Sequence, residues 1–207
     1  MQLVGRRSSV FTRLPLFLVE HLGVPCEFEP IPDMTVQSPA AYAGNPALKL
    51  PILRLDGDVV FGAQNICRVI AELAALAGNA KHIVWPEDLK TPLQRNAQEL
   101  VWHAMAAQVQ LVMGTVLGKL PADNMFFLKA RTGLEASLDW LDQNVDAIRA
   151  TLPVPRDLSL FELSLFCLVQ HLVFRPTAAV ESRTRLASFT AEFGSMEAAR
   201  RTAYRFD

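Results

Sequence analysis

Over roughly the first eighty residues the apolar positions come in short alternating runs; beyond them they recur at helical spacing almost to the end. Met1–Gly5 reads as a short strand, and in the following apolar stretch Cys26, Phe28 and Pro30 alternate against Glu27 and Glu29, as in a second strand. Between them, the stretch from about Thr12 to Leu22 reads as a helix stopped by Gly23. Proline deep inside a helix clashes with the preceding turn. The helix is therefore expected to begin at or after Thr12, with Pro15 in its first turn.

Pro51–Phe61 carries the clearest local signal. Two apolar strands flank Asp56-Gly57, a pair expected to take the positive φ angles of a tight hairpin turn. After it, Ile66, Val69, Ile70 and Leu73 recur at helical spacing, so a helix is expected from near Ala63. Gly78–Pro92, with two prolines and mixed charge, marks a boundary.

Beyond it, Leu100, Val101, Ala104, Ala107, Gln108 and Leu111 predict a long helix ending near Gly118. Phe127, Ala130, Leu134, Leu138, Leu141 and Val145 predict another. A third opens at Ser159 and Glu162, an S-x-x-E capping box with Leu158 and Leu163 placed for a hydrophobic staple. The expected division is an α/β domain over 1–78, a linker over 79–88 and an all-helical domain over 89–207.

Composition adds exclusions. The 207 residues are 51% hydrophobic and 20% charged, and 20 basic against 21 acidic residues leave a net charge near −1. That balance gives no electrostatic case for nucleic acid or an anionic membrane as partner. Cys26, Cys67 and Cys167 form no C-x-x-C pair and fit a reducing compartment as small buried hydrophobes. Arg13, Pro15, Glu20 and His21 interrupt the apolar N-terminal run, and no run of 18 apolar residues suggests a membrane span, so a soluble, cytoplasmic protein is expected. His21, His82, His103 and His171 have no metal-ligand spacing, and the glycines form no phosphate-binding loop.

The segment NPALKLPILRLDGDVVF, Asn45–Phe61, resembles the N-P-x-x-K-V-P-x-L-x-x-x-D-G hairpin of the soluble glutathione transferases, with Pro51 at a characteristically cis position. SSVFTR resembles the S-P-F-x-R helix start of the serine- and cysteine-type classes. ICRVIAEL resembles the helix after the hairpin, and LSLFEL the capping box of the helical domain. The tail RRTAYRFD is similar to bacterial members. The resemblance spans essentially the whole chain. It implies a thioredoxin-like α/β domain followed by an all-α helical bundle, glutathione as co-substrate without a metal, a small apolar electrophile, and a homodimer.

By this resemblance the backbone of Leu50, before Pro51, pairs with the glutathione cysteine as an added strand. The N-terminus of the helix after the hairpin, at Ala63, receives the γ-glutamyl carboxylate. Ser9 falls at the catalytic serine or cysteine, where its hydroxyl either donates to the glutathione sulfur or merely caps its helix; the two roles are geometrically compatible. Serine there favours thiolate activation over disulfide exchange, which needs a protein thiol. Lys49 either reaches the ligand or is an exposed loop charge. Phe11 lines the site or packs on the sheet. Arg13 either raises the local potential or makes a structural salt bridge. Trp102, His103 and Met105 stand on the usual wall of the electrophile pocket, at spacings that a simple core also explains.

Three positions depart from the resembled pattern. Gly62-Ala63 stands where the family has an acidic residue followed by serine, Val10 where it has proline, and Glu162 where it has aspartate. Two lost hydrogen bonds to charged groups, at about 1.5–3 kcal/mol each, would weaken glutathione binding about a hundredfold or more. Gln64 either turns inward as a substitute or stays solvated. Two functions therefore stand: a glutathione transferase using Ser9, or a binding or scaffold protein that kept the fold with weakened glutathione affinity. A site remodelled for another thiol or peptide carboxylate is a third.

Overall fold

The structure, a computed structural model, describes Met1–Asp207 and divides into two units, Met1–Lys81 with Ser195–Asp207, and His82–Gly194. The sequence-based division ran 1–78, 79–88 and 89–207. The main difference is at the far end, where the last thirteen residues return to the first unit.

The first unit runs β1 (Gln2–Gly5), α1 (Val10–Leu22), β2 (Glu27–Pro30), β3 (Ile52–Arg54), β4 (Val59–Phe61) and α2 (Ala63–Leu76). Its sheet has the order β2-β1-β3-β4, with β2 parallel to β1 and the remaining pairs antiparallel. This is the expected thioredoxin-like domain. Alternation along the strands sends Val4 and Ile52 to one face, where Ile31, Tyr42, Leu48 and Leu50 of the long β2–β3 connection cover them. Leu3 and Leu53, also fully buried, point to the other face, and α1 packs against α2.

Two local expectations needed correcting. The first helix begins at Val10, not at or after Thr12, because Ser9 caps it by accepting the Thr12 amide at 3.3 Å. Pro15 therefore lies in the second turn, where it has no N–H to give to the carbonyl of Phe11. In the hairpin, Leu55 and Asp58 exchange backbone hydrogen bonds across the turn, yet only Gly57 takes a positive φ, 88°. A turn with its one left-handed residue at the second central position needs glycine only there.

The second unit contains α3 (Pro92–Leu111), α4 (Met125–Thr151), α5 (Leu160–Phe174) and α6 (Thr184–Gly194), with a short parallel pair, β5 (Ile83–Val84) beside β6 (Leu158–Ser159). It is the expected helical bundle. Thr91 and Gln94 form a complete capping box at α3, with Pro92 in the first position. The helix widens to a π turn over Val112–Leu117 and stops at Gly118. Pro92–Leu117 is long enough, and over its most apolar 18 residues apolar enough, to cross a membrane; here it packs on α4 and α5 and buries Val101, Ala104, Met105 and Leu111.

Only half of the expected box forms at α5. Ser159 Oγ accepts the Glu162 amide at 3.1 Å, but the Glu162 carboxylate accepts from the Ser159 hydroxyl rather than from its amide. The same carboxylate, nearly buried, pairs with Arg149 at 3.1 Å and Arg156 at 3.2 Å, and Arg149 continues to Glu192 at 2.8 Å. The short tail helix α7 (Glu197–Arg201) belongs with the first unit, where it packs on α1.

Candidate functional site

The sheet register aligns Val4 with Ile52 and Ile52 with Phe61. Three segments consequently leave the sheet at one end: Gly5 leading to Ser9, Leu50-Pro51 leading into β3, and Gly62 leading to Ala63. Ser9, Leu50, Pro51, Gly62, Ala63 and Gln64, far apart in sequence, are thereby brought to one end of the fold. The N-termini of α1 and α2 also lie there, each carrying partial positive charge and amides without intrahelical acceptors.

Ser9 is half-buried in extended conformation, φ −95° and ψ 128°, and its amide donates to the Arg6 carbonyl at 3.0 Å, closing a turn over Arg6–Ser9. Its capping role uses one lone pair, so the hydroxyl proton is left to donate elsewhere. Gly5 makes the placement possible. A Cβ there would lie 2.5 Å from the Thr12 methyl, so only glycine lets the first turn of α1 sit this close to the end of β1.

The Leu50–Pro51 peptide is cis, as expected. Leu50 is half-buried and Lys49 exposed, its side chain on the surface loop. Asn45, to which the motif resemblance assigns no role, is the organiser of this loop. It is nearly fully buried, donates to the Lys49 carbonyl at 2.8 Å, and accepts the Ala47 amide at 3.0 Å. Its own carbonyl takes the Leu48 amide at 3.1 Å and holds Leu48 at φ 53°. The signal was the N-P pair, a turn-starting dipeptide.

At α2, Gly62 is the N-cap at φ 87° and ψ 133°, with no side chain to cap the helix. The first intrahelical bond runs from the Ile66 amide to the Gly62 carbonyl at 3.0 Å, so the amides of Ala63, Gln64 and Asn65 precede the helical ladder. Ala63 is buried and Gln64 half-buried. The positive φ gives Gly62 a conformational reason of its own, since an L side chain is strained there although the space is open.

Phe11 is half-buried on the first turn of α1. Arg13 faces the protein interior: its guanidinium donates to the Ala199 carbonyl at 3.0 Å and lies 4.4 Å from the centre of the Tyr204 ring. It is 2% exposed, a structural anchor rather than a source of potential at the site. On α3, Met105 is fully buried, Trp102 half-buried, and His103 exposed beside Glu99 at 3.9 Å. Met105 thus belongs to the core of the helical unit. Cys67 and Cys167 are buried; Cys26 is partly exposed, precedes β2, and burial pushes its thiol up.

Residues 3–79 match the family profile described as glutathione S-transferase, N-terminal domain. Among solved structures, glutathione transferase F7 from Populus trichocarpa is 20% identical over 98% of this chain and 97% of its own, with a TM-score of 0.70. A glutathione S-transferase from Methylobacillus flagellatus with glutathione bound is 18% identical over 99% of both chains, with a TM-score of 0.73. One from Methylobacterium radiotolerans, in complex with glutathione sulfonate, is 14% identical over all of this chain and 95% of its own, with a TM-score of 0.74. No curated protein sequence matches this chain.

Proposed function

We propose that this chain, whose residues 3–79 match a glutathione S-transferase N-terminal domain and whose whole length is similar in fold to solved glutathione transferases, conjugates glutathione to small apolar electrophiles, with Ser9 as the activating donor. The observation that carries this reading is the convergence, at one end of the sheet, of the Ser9 hydroxyl, the cis Leu50–Pro51 peptide and the uncapped N-terminus of α2.

In the proposed mechanism Leu50 pairs its backbone with the glutathione cysteine, and the amides at Ala63 and Gln64 receive the γ-glutamyl carboxylate. Lys49 reaches the ligand from its loop. The Ser9 hydroxyl donates to the sulfur, so the thiol proton leaves to solvent and the thiolate persists near neutral pH; each unit of pKa lowering represents about 1.4 kcal/mol. The thiolate then forms a carbon–sulfur bond to the electrophile, either displacing a leaving group or adding to a polarised double bond whose resulting carbanion takes a proton from solvent. Trp102 and His103, on α3, stay the candidates for the electrophile wall. A cytoplasmic homodimer belongs to the same proposal.

A second reading, a scaffold with weakened glutathione affinity, is favoured by one observation: Gly62 and Ala63 offer the ligand no polar side chain. A steady-state assay with saturating reduced glutathione and a panel of aryl halides and unsaturated carbonyls tests both. A large loss of turnover in Ser9→Ala, with a measurable residual rate, supports the enzyme. Calorimetric binding without turnover supports the scaffold.

A further inference from the structure

We propose that the segment Ser195–Asp207 is a positioning element for Ser9, and that Asp207 is the residue that sets the Ser9 turn. The catalytic consequence rests on the transferase reading; the positioning itself does not.

Ser9 sits between two anchor points, and both lead to this segment. On one side, the Asp207 carboxylate grips the middle of the Arg6–Ser9 turn: one oxygen accepts the Arg7 amide at 2.9 Å, the other the Arg7 guanidinium at 3.2 Å. Arg6 Nε lies 4.0 Å from the first oxygen, and the Asp207 side chain is only 8% exposed. The Arg7 guanidinium carbon also lies over the Phe28 ring, 4.0 Å from its centre, so the clasp joins β2, the turn and the tail. On the other side, four residues past Ser9, Arg13 is fixed by Ala199 and Tyr204. Arg201 adds a third tie, to Glu20 near the end of α1, at 3.4 Å.

The chemistry suits a positioning role. Charge-assisted hydrogen bonds are short and directional, and here a single carboxylate fixes backbone and side chain of the same residue. Ser9, two residues on, inherits that orientation. A displacement of about 1 Å at a reacting group lowers a rate by about a hundredfold, so small freedom in the turn has a large kinetic effect. Asp207 has an electrostatic effect of opposite sign as well. It balances Arg6 and Arg7, whose unbalanced charges would favour a nearby thiolate.

The two effects separate experimentally. In the unliganded protein, amide hydrogen exchange over residues 6–12 is expected to accelerate in Asp207→Ala. In steady-state assays Asp207→Ala is expected to lower kcat about tenfold with KM for glutathione within about twofold, because the anchoring amides of α2 are untouched. Asp207→Asn keeps an acceptor for the Arg7 amide and is expected to recover most of kcat. In both variants the pH profile is expected to show the bound thiol ionising at lower pH. On a Ser9→Ala background, Asp207→Ala is expected to have no further effect on kcat. Unchanged exchange over residues 6–12 overturns the proposal, as does an undiminished Asp207→Ala effect on that background. A wild type without turnover overturns the transferase reading and the catalytic consequence, and exchange then decides the positioning alone.

Discussion

The Thr12 amide donates to Ser9 Oγ at 3.3 Å, so the side chain proposed to activate the thiol is also the one that starts α1. The two roles respond to different substitutions. Ser9→Ala removes the cap and the donor, and is expected to destabilise the protein by about 1 kcal/mol and to abolish most turnover. Ser9→Asn retains a capping oxygen. It is expected to restore thermal stability to near wild type while leaving turnover low, which thermal unfolding beside a steady-state assay measures directly.

Gly62 and Ala63 are expected to behave differently although they are neighbours. Gly62 sits at φ 87°, so Gly62→Glu carries a backbone penalty of about 1–2 kcal/mol before any contact with ligand. Ala63 starts α2 in helical conformation, and Ala63→Ser adds a hydroxyl at the helix N-terminus. Calorimetry with reduced glutathione is expected to show tighter binding by about tenfold for Ala63→Ser, and a smaller or negative change for Gly62→Glu.

Gly5→Ala is expected to be disproportionately harmful for the addition of one methyl group. The new Cβ meets fully buried Thr12, in the first turn of α1, and the helix start must move to admit it. The expected loss is about 1–3 kcal/mol in urea unfolding, with a fall in kcat because the Ser9 turn is displaced. Wild-type activity in Gly5→Ala would contradict the tight placement described for that turn.

In the helical unit, Glu162→Ala removes the carboxylate that Arg149 and Arg156 share while Arg149 keeps Glu192, and is expected to cost about 1–3 kcal/mol. Glu192 gives a pH signature. Its hydrogen bond to Arg149 holds its carboxyl below the usual value of 4.5. A carboxyl depressed by folding contributes stability that is full above the unfolded value and is lost as pH falls through the folded one. Thermal stability is therefore expected to decline below about pH 4.5, and Glu192→Gln is expected to flatten the decline; the exposed Glu192 side chain keeps the effect small.

What could be read in advance was local. Asp56-Gly57 and the spacing of Ile66, Val69 and Ile70 encode a hairpin and a helix within a few residues, and both appear where expected. α1 starts two residues before the place the proline rule predicts from Pro15, because the Ser9 cap outweighs that rule. The Glu162 carboxylate was assigned to its own backbone, when two arginines reach it from elsewhere in the chain. Asn45 hid its role in a loop whose geometry depends on three separate bonds. Most of all, no periodicity announces that Asp207 closes on Arg7, since that contact spans 200 residues of sequence.

That closure has a consequence for the chain as it is made. The turn bearing Ser9 is translated well before its clasp, with the whole of His82–Gly194 between them. At about 5–20 residues per second, the nascent sheet waits roughly 7–30 s for its missing piece. On the ribosome the helical unit can fold as a continuous stretch. The first unit, although its strands emerge earlier, is finished only when residue 207 clears the exit tunnel.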